Sequence, residues 1–137
     1  GCCLLVATSR LQEKLFDEDF FMYGEDWELG WRLSSTPGAA VLLPEVLVSH
    51  EGSASSRIGS PFYEFSLVNA HLALANKISR GWIDYLSMML ARGLVLSSRA
   101  FMRSIRHGNI EPVRALAKSW MQWVRSTIHH EADQKNF

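Results

Sequence analysis

The sequence contains almost no cysteine, has no long uncharged apolar run, and carries no net charge. Its two cysteines, Cys2 and Cys3, are adjacent, and neighbours in an extended segment point to opposite faces, so they are poor disulfide partners. This excludes a disulfide-built miniprotein and favours a reducing compartment. The most apolar stretch, YLSMMLARGLVL, contains Arg92 and directly follows Asp84. A transmembrane helix, which needs roughly 18 or more apolar residues, is therefore not expected.

The neutral total hides a division of charge along the chain. Residues 1–60 contain four basic and nine acidic side chains, for a net charge of −5, whereas residues 61–137 contain ten basic and five acidic ones, for +5. An acidic half followed by a basic half indicates two roles in one chain. The zero total argues against nucleic-acid binding by the whole surface. With 137 residues and 47% hydrophobic residues, the chain is long enough to bury a core.

The acidic half predicts short strands around one helix. CCLLVAT is a β-leaning apolar run, and AAVLLPEVLVSH predicts two strands separated by Pro44. Between them, a helix is expected to begin near Gly24 or Glu25 and to stop at Thr36-Pro37-Gly38. The predicted fold class of this part is α/β, or α+β. The chain begins at Gly1 without a signal-peptide pattern, and we expect it to be a piece of a longer protein.

The basic half, which follows a Gly- and Ser-rich loop, predicts three helices. They cover residues 62–79, residues 82–106, and a segment that begins near Asn109 with Pro112 in its first turn. Arginines on the second helix share one stripe, and basic residues on the third form another, with two tryptophans turned away from it. The stripes fit a helix that lies on an anionic membrane. They equally fit an amphipathic helix that packs on a core with its charges solvated. The stripe residues are Arg92, Arg99, Arg103, Arg106, Arg114, Lys118 and Arg125, and the tryptophans are Trp120 and Trp123.

The strongest chemical signal is a cluster of six acidic residues between Asp17 and Glu28, interleaved with aromatic residues. Apolar ring faces beside hydroxyl acceptors suit a sugar-binding cleft. Glu25 and Asp26 come first as catalytic candidates, because the dipole of a helix N-terminus keeps a carboxylate ionised and able to accept a proton. The alternative is that these acids merely favour the start of the helix.

Two further candidates follow the predicted strands. His50 ends the second strand, and its imidazole suits a divalent-cation site completed by carboxylates from elsewhere, or a purely structural position. The loop from Ser53 to Arg57 offers hydroxyls, amides and a guanidinium that suit phosphate contacts. A flexible surface linker explains the same loop equally well.

Two segments, FDEDFFMYGEDWELGWRL and LLPEVLVSHEGSASSR, resemble the C-terminal half of family 2 glycosyltransferases, especially their rhamnosyltransferase-like branch. The opening GCCLLVATS is similar to the strand that precedes the first motif in that family. The resemblance is dense over residues 1–57 and loose over the helical remainder. It implies that residues 1–60 form the C-terminal part of a GT-A catalytic domain and that residues 61–137 form a helical C-terminal extension.

The resemblance also implies a reaction: transfer of a sugar from a nucleotide-diphosphate donor to a glycan or lipid-linked acceptor, with inversion, in bacterial cell-wall or polysaccharide synthesis. Asp26 matches the general base that deprotonates the acceptor hydroxyl, and Glu25 matches its neighbour in the acceptor site. His50 matches a ligand of the Mg²⁺ or Mn²⁺ at the donor diphosphate. The other residues expected to contact substrate are Trp27, Ser53 and Arg57.

The sequence departs from the family pattern in two ways. No Asp-x-Asp motif follows a nucleotide-binding strand, since Asp17-Glu18-Asp19 has the spacing but precedes the Glu-Asp pair. Val68-Asn69 also stands where the family often has Arg-Asn. Because the nucleotide-binding βαβ units are missing, we expect the isolated 137 residues to be inactive in sugar transfer.

Two hypotheses from different classes follow. The first is a glycosyltransferase that works in the cytoplasm, peripheral to the inner face of the plasma membrane. The second is a non-catalytic helical module whose basic half binds a membrane or a protein partner. Asp26 and His50 separate the two, because only the first hypothesis requires them. Nucleic-acid binding through the arginine stripes has no further support in the sequence.

Overall fold

The computed structural model describes residues 3–7, 9, 14–50 and 57–134, with side chains described through residue 126. Within these ranges the chain forms four helices, α1 (Glu25–Leu33), α2 (Pro61–Ile78), α3 (Trp82–His107) and α4 (Glu111–Gln134). α2 packs on both α3 and α4, α3 and α4 pack on each other, and α1 packs on α2. The architecture is a three-helix bundle with a short helix laid against α2.

The predicted α/β class is wrong, because the described residues form no strand. The apolar runs predicted as strands lie in residues 3–7 and 40–50. These residues are neither helical nor hydrogen-bonded to another strand among the described residues. Leu42 and Val46 are 91% and 95% exposed. A strand needs the hydrogen-bonding edge of a neighbour, and an apolar strand also needs a surface to cover. The described residues supply neither, so the GT-A architecture implied by the resemblance is not formed.

The predicted helices of the basic half are confirmed, with ends set by local capping. The Ser60 hydroxyl accepts a hydrogen bond from the Tyr63 N–H at 3.1 Å, just before Pro61 at the first position of α2. α3 ends at Gly108, whose φ of 63° is a left-handed conformation and whose N–H donates to the Ile105 carbonyl. These signals lie within a few residues of each helix end, which is why sequence patterns located them.

The core lies where α2, α3 and α4 meet. Val68 and Leu72 of α2 and Leu96 of α3 are at most 2% exposed. The partly buried side chains that pack around them are Met89, Leu116, Trp120 and Trp123. The Trp123 Nε1–H donates to the Tyr85 hydroxyl at 3.1 Å, so this indole keeps a polar partner inside the bundle. The two tryptophans thus pack against the core, in agreement with the alternative in which this helix packs on a core.

A buried ion-pair cluster joins α2 to α3. The Glu64 carboxylate is 1% exposed and accepts hydrogen bonds from Arg99 Nη1 at 2.9 Å and from Arg103 Nε at 2.7 Å. The Arg103 guanidinium also lies over the Tyr63 ring, 5.6 Å from its centroid. The α3 arginine stripe therefore does not form a free basic surface, because two of its members turn inward to one carboxylate.

No helix in the described part of the chain combines the length and apolar character needed to cross a bilayer.

We predict that Glu64→Ala lowers the free energy of unfolding by about 3 kcal/mol, because it leaves two largely buried guanidinium groups without their counter-charge. Urea denaturation followed by circular dichroism measures this. Glu111→Ala is the matched control, since Glu111 pairs with the exposed Arg114 and a surface pair contributes less than about 1 kcal/mol. Equal destabilisation by the two substitutions would contradict a structural role for the cluster.

Candidate functional site

The acidic and aromatic motif enters α1 through a strained turn. Tyr23 has a φ of 65° and Gly24 a φ of 88°, so two consecutive residues adopt the left-handed conformation. A Cβ at Gly24 would lie 2.9 Å from both the Ala70 Cβ and the Phe20 Cδ1. Only glycine lets this turn approach α2 so closely. Positive φ at a tyrosine is uncommon and typical of positions that hold a functional constellation in place.

The turn places the Glu-Asp pair in the first turn of α1. Asp26 is exposed, and its Oδ1 accepts a hydrogen bond from the Trp27 N–H at 3.0 Å. Glu25 is half-buried, and its Oε2 is buried without a hydrogen-bond partner among the described residues. A buried carboxylate oxygen of this kind is unusual, since such atoms are normally paired. Both carboxylates lie at the positive end of the helix dipole.

Glu28, the third acid of the first turn, has a structural task. It is 2% exposed and forms a two-point ion pair with Arg32, with both N–O distances at 3.0 Å. Arg32 also donates to the Leu15 carbonyl at 2.9 Å and to the Lys14 carbonyl at 3.3 Å. Sequence reasoning missed this brace, although the Glu-to-Arg spacing of four residues on a helix is the signal that would have revealed it.

A second brace ties the acidic loop to the end of α2. The Lys77 ammonium pairs with the carboxylates of Asp17 and Asp19. The hydrogen bond from Lys77 holds the pKa of Asp17 below its ordinary range, and the same bond raises the pKa of Lys77. Asp17 and Asp19, which have Asp-x-Asp spacing, are thus engaged by a cation of the chain itself.

The other face of the motif stacks on α2. The Trp27 indole lies against the His71 imidazole, with ring centroids 4.9 Å apart, and Tyr23 makes an edge-on contact with Tyr63 at 5.3 Å. Burial lowers the pKa of His71 below 6.5, and the positive charges of Arg92 and Arg99 lower it further. The lowered pKa favours the neutral imidazole, whose ring meets the indole at an interplanar angle of 43°. Trp27 itself remains 41% exposed.

An aromatic groove runs beside this motif, between the loop and the bundle. Its volume is about 1330 Å³, and the loop residues Phe20, Phe21 and Tyr23 are among those that line it. The helices of the bundle contribute the aromatic side chains Phe62, Phe65, Trp82, Tyr85 and Trp123. Amide groups of Asn69, Asn76 and Gln122 supply polar atoms in the same groove. Ring faces interspersed with amides suit the apolar faces and hydroxyls of a sugar.

The remaining predicted site residues lie outside α1. His50 is exposed in the non-helical segment 40–50, and Arg57 is exposed with a φ of 43°. Ser53 lies outside the described residues. Among the described His, Cys, Asp and Glu side chains, no three come close enough to hold a metal ion. A Mg²⁺ or Mn²⁺ site therefore does not fit the described residues, and the metal role of His50 stays a prediction.

Comparisons with known proteins agree with the glycosyltransferase resemblance. The chain is 32% identical over 106 residues to N-acetylglucosaminyl-diphospho-decaprenol L-rhamnosyltransferase of Mycobacterium tuberculosis, in strain CDC 1551 / Oshkosh and equally in strain ATCC 25618 / H37Rv. The match covers 76% of this chain and 34% of the relative, so the chain spans about a third of the length of the curated relatives it matches. No family model matches the chain, and no solved structure matches it. The chain is thus a distant relative of a glycosyltransferase.

We predict that Gly24→Ala lowers the free energy of unfolding by about 2 to 4 kcal/mol, because the new Cβ strains the left-handed turn and collides with α2. Gly30→Ala is the matched control. It lies inside α1, where an added methyl group would have no neighbour within 4 Å, and should stabilise the helix by about 0.5 to 1 kcal/mol. Chemical denaturation of both variants measures the two effects. If Gly24→Ala is as well tolerated as the control, the close approach to α2 is unimportant.

We predict that the free energy of unfolding decreases as the pH falls through 6.5, the ordinary pKa of histidine. In that range the unfolded chain binds a proton at His71 more readily than the folded chain does, so protonation favours unfolding. His71→Phe keeps a ring against Trp27 and should remove this part of the pH dependence. His50→Gln, at an exposed position, should leave it unchanged. The measurement is urea denaturation of the three proteins across that pH range.

Proposed function

We propose that this chain carries the acceptor side of a glycosyltransferase that builds a cell-surface glycan, with Asp26 as the general base. The carrying observation is that Asp26 is exposed in the first turn of α1, three residues after Tyr23, which lines the aromatic groove. The relative from Mycobacterium tuberculosis, named for a rhamnosyltransferase that acts on a diphospho-decaprenol-linked sugar, supports the same class. The proposed donor is a nucleotide-diphosphate sugar, and the proposed acceptor is a glycan or lipid-linked sugar.

In the proposed reaction, the Asp26 carboxylate takes the proton of the acceptor hydroxyl as that oxygen attacks the anomeric carbon of the donor. A bond forms between the acceptor oxygen and this carbon, while the bond from the carbon to the diphosphate oxygen breaks with its electron pair. The nucleoside diphosphate leaves, and the anomeric centre inverts. Asp26 suits the proton-accepting role because it is exposed and ionised at a helix N-terminus.

Neighbouring residues are assigned supporting roles in this proposal. The Oε2 of Glu25, which has no partner among the described residues, provides an acceptor for a sugar hydroxyl, and the half-exposed Trp27 ring provides a stacking surface. The two braces, Glu28 with Arg32 and Lys77 with Asp17, hold the loop so that these groups need no reordering when substrate binds. Dependence on a divalent metal and the contacts of Ser53 and Arg57 with substrate stay predictions.

We predict that Asp26→Asn reduces sugar transfer by about 10² to 10⁴-fold, because the amide cannot accept the proton of the acceptor hydroxyl. The assay is transfer of labelled sugar to an extracted lipid-linked acceptor by the full-length protein. Glu18→Gln is the matched control, since Glu18 is an exposed carboxylate of the same loop and should leave transfer unchanged. Full transfer by Asp26→Asn would favour the non-catalytic interpretation of the chain, as a helical module that binds a membrane or a partner.

A further inference from the structure

Arg92 is a charged side chain of α3 to which the described residues supply no counter-charge. Two other arginines of the same stripe, Arg99 and Arg103, pair with Glu64. A third, Arg106, is exposed. Arg92 is half-buried, and its Nε is buried without a hydrogen-bond partner among the described residues. A buried donor on a cation is costly unless it is paired, so the position of Arg92 needs an explanation.

The electrostatic environment of Arg92 is positive. Burial lowers the pKa of Arg92, and no carboxylate among the described residues opposes that effect. The charges of Arg92 and Arg99 in turn lower the pKa of the His71 imidazole on α2. A guanidinium nevertheless stays ionised in a protein. An uncompensated positive charge therefore lies within electrostatic reach of His71.

This charge lies close to the residues that are proposed to bind the acceptor. The His71 imidazole contacts the Trp27 indole, with ring centroids 4.9 Å apart, and Trp27 directly follows Asp26 in α1. Three helices thus contribute to one corner of the molecule, with Trp27 from α1, His71 from α2 and Arg92 from α3. The corner offers an aromatic ring, the N–H of a neutral imidazole and a guanidinium whose Nε–H has no acceptor among the described residues.

A phosphate group is the ligand that matches this set of groups. The planar guanidinium of an arginine fits the oxygens of a phosphate or a carboxylate through two-point hydrogen bonds. The donor of the proposed sugar transfer carries a diphosphate, and the relative from Mycobacterium tuberculosis is named for a substrate in which a diphosphate joins a sugar to decaprenol. In both molecules a sugar ring is attached directly to the diphosphate, so a ring against Trp27 would place the phosphates towards His71 and Arg92.

We propose that Arg92 and the N–H of His71 bind the diphosphate of a sugar substrate whose ring lies against Trp27. Arg92 acts as a binding residue, because it neutralises and orients the diphosphate and exchanges no proton with it. The identity of the ligand rests on the proposed function. The existence of an anion site at Arg92 does not, because binding of pyrophosphate requires no sugar transfer.

The first test is urea denaturation of the chain with and without pyrophosphate, at an ionic strength matched with sodium chloride. We expect pyrophosphate to raise the urea midpoint of the unchanged chain, because a ligand of the folded state stabilises it. Arg92→Gln should abolish this shift, and Arg92→Lys, which keeps the charge but loses the planar group, should reduce it. Arg106→Gln is the matched control, since Arg106 is an exposed arginine of the same helix and should leave the shift intact.

The midpoint without pyrophosphate separates a ligand site from an ion pair within the protein. Arg92→Gln should leave this midpoint unchanged or raise it, because the substitution removes a partly buried charge that has no partner. A lowered midpoint would assign Arg92 to an ion pair within the chain and overturn the proposal. So would the absence of a pyrophosphate shift in the unchanged chain, or an equal shift in Arg92→Gln.

Calorimetric titration with farnesyl diphosphate and with uridine diphosphate distinguishes the two sources of the diphosphate. Tighter binding of farnesyl diphosphate assigns the site to a lipid-linked acceptor, and tighter binding of uridine diphosphate assigns it to the donor. In either case Arg92→Gln should weaken the binding by about tenfold or more. Binding of neither compound, or equal binding by Arg92→Gln, would overturn the proposal. Full sugar transfer by Asp26→Asn would instead contradict the proposed function and leave the pyrophosphate result standing.

Discussion

The buried carboxylate of Glu64 is the interaction on which the arrangement of the bundle depends. It lies 1% exposed between two guanidinium groups of α3, and a buried charge is tolerated only when it is paired and hydrogen-bonded. This requirement sets the rotation of α3 about its own axis. With Arg99 and Arg103 committed to α2, the opposite side of the same helix faces outward, where Leu90 and Leu94 are 68% and 65% exposed.

Ion pairing also organises the acidic half, where several charged side chains hold the loop in place. Glu28 binds Arg32, and Asp17 binds Lys77, so these acids act as braces between the loop, α1 and α2. Asp26 stays exposed in the first turn of α1. A negative half and a positive half therefore do not simply attract each other. Specific ion pairs within and between the two halves use up part of each charge.

Sequence reasoning predicted the helices well and the strands badly, for one physical reason. The starts and ends of α2 and α3 depend on residues such as Ser60 and Gly108 that act within one turn. The apolar runs at residues 3–7 and 40–50 have β-leaning composition, but strand formation depends on a partner far away in sequence. None of the described residues provides that partner. The Glu-Asp pair was located because a helix N-terminus is also a local feature, whereas the close approach of Gly24 to Ala70 was not foreseen.

By itself, the sequence determined where the helices begin and end, that Glu25 and Asp26 occupy a helix first turn, and that the arginines of α3 share one side. Only the tertiary structure decided which side faces inward, that Glu28 and Glu64 are buried, and that aromatic residues from the loop and three helices line one groove. The reason is that helical periodicity and capping act over three or four residues. Burial and ion pairing, by contrast, join positions such as Glu64 and Arg103, which are 39 residues apart and meet only when the helices pack.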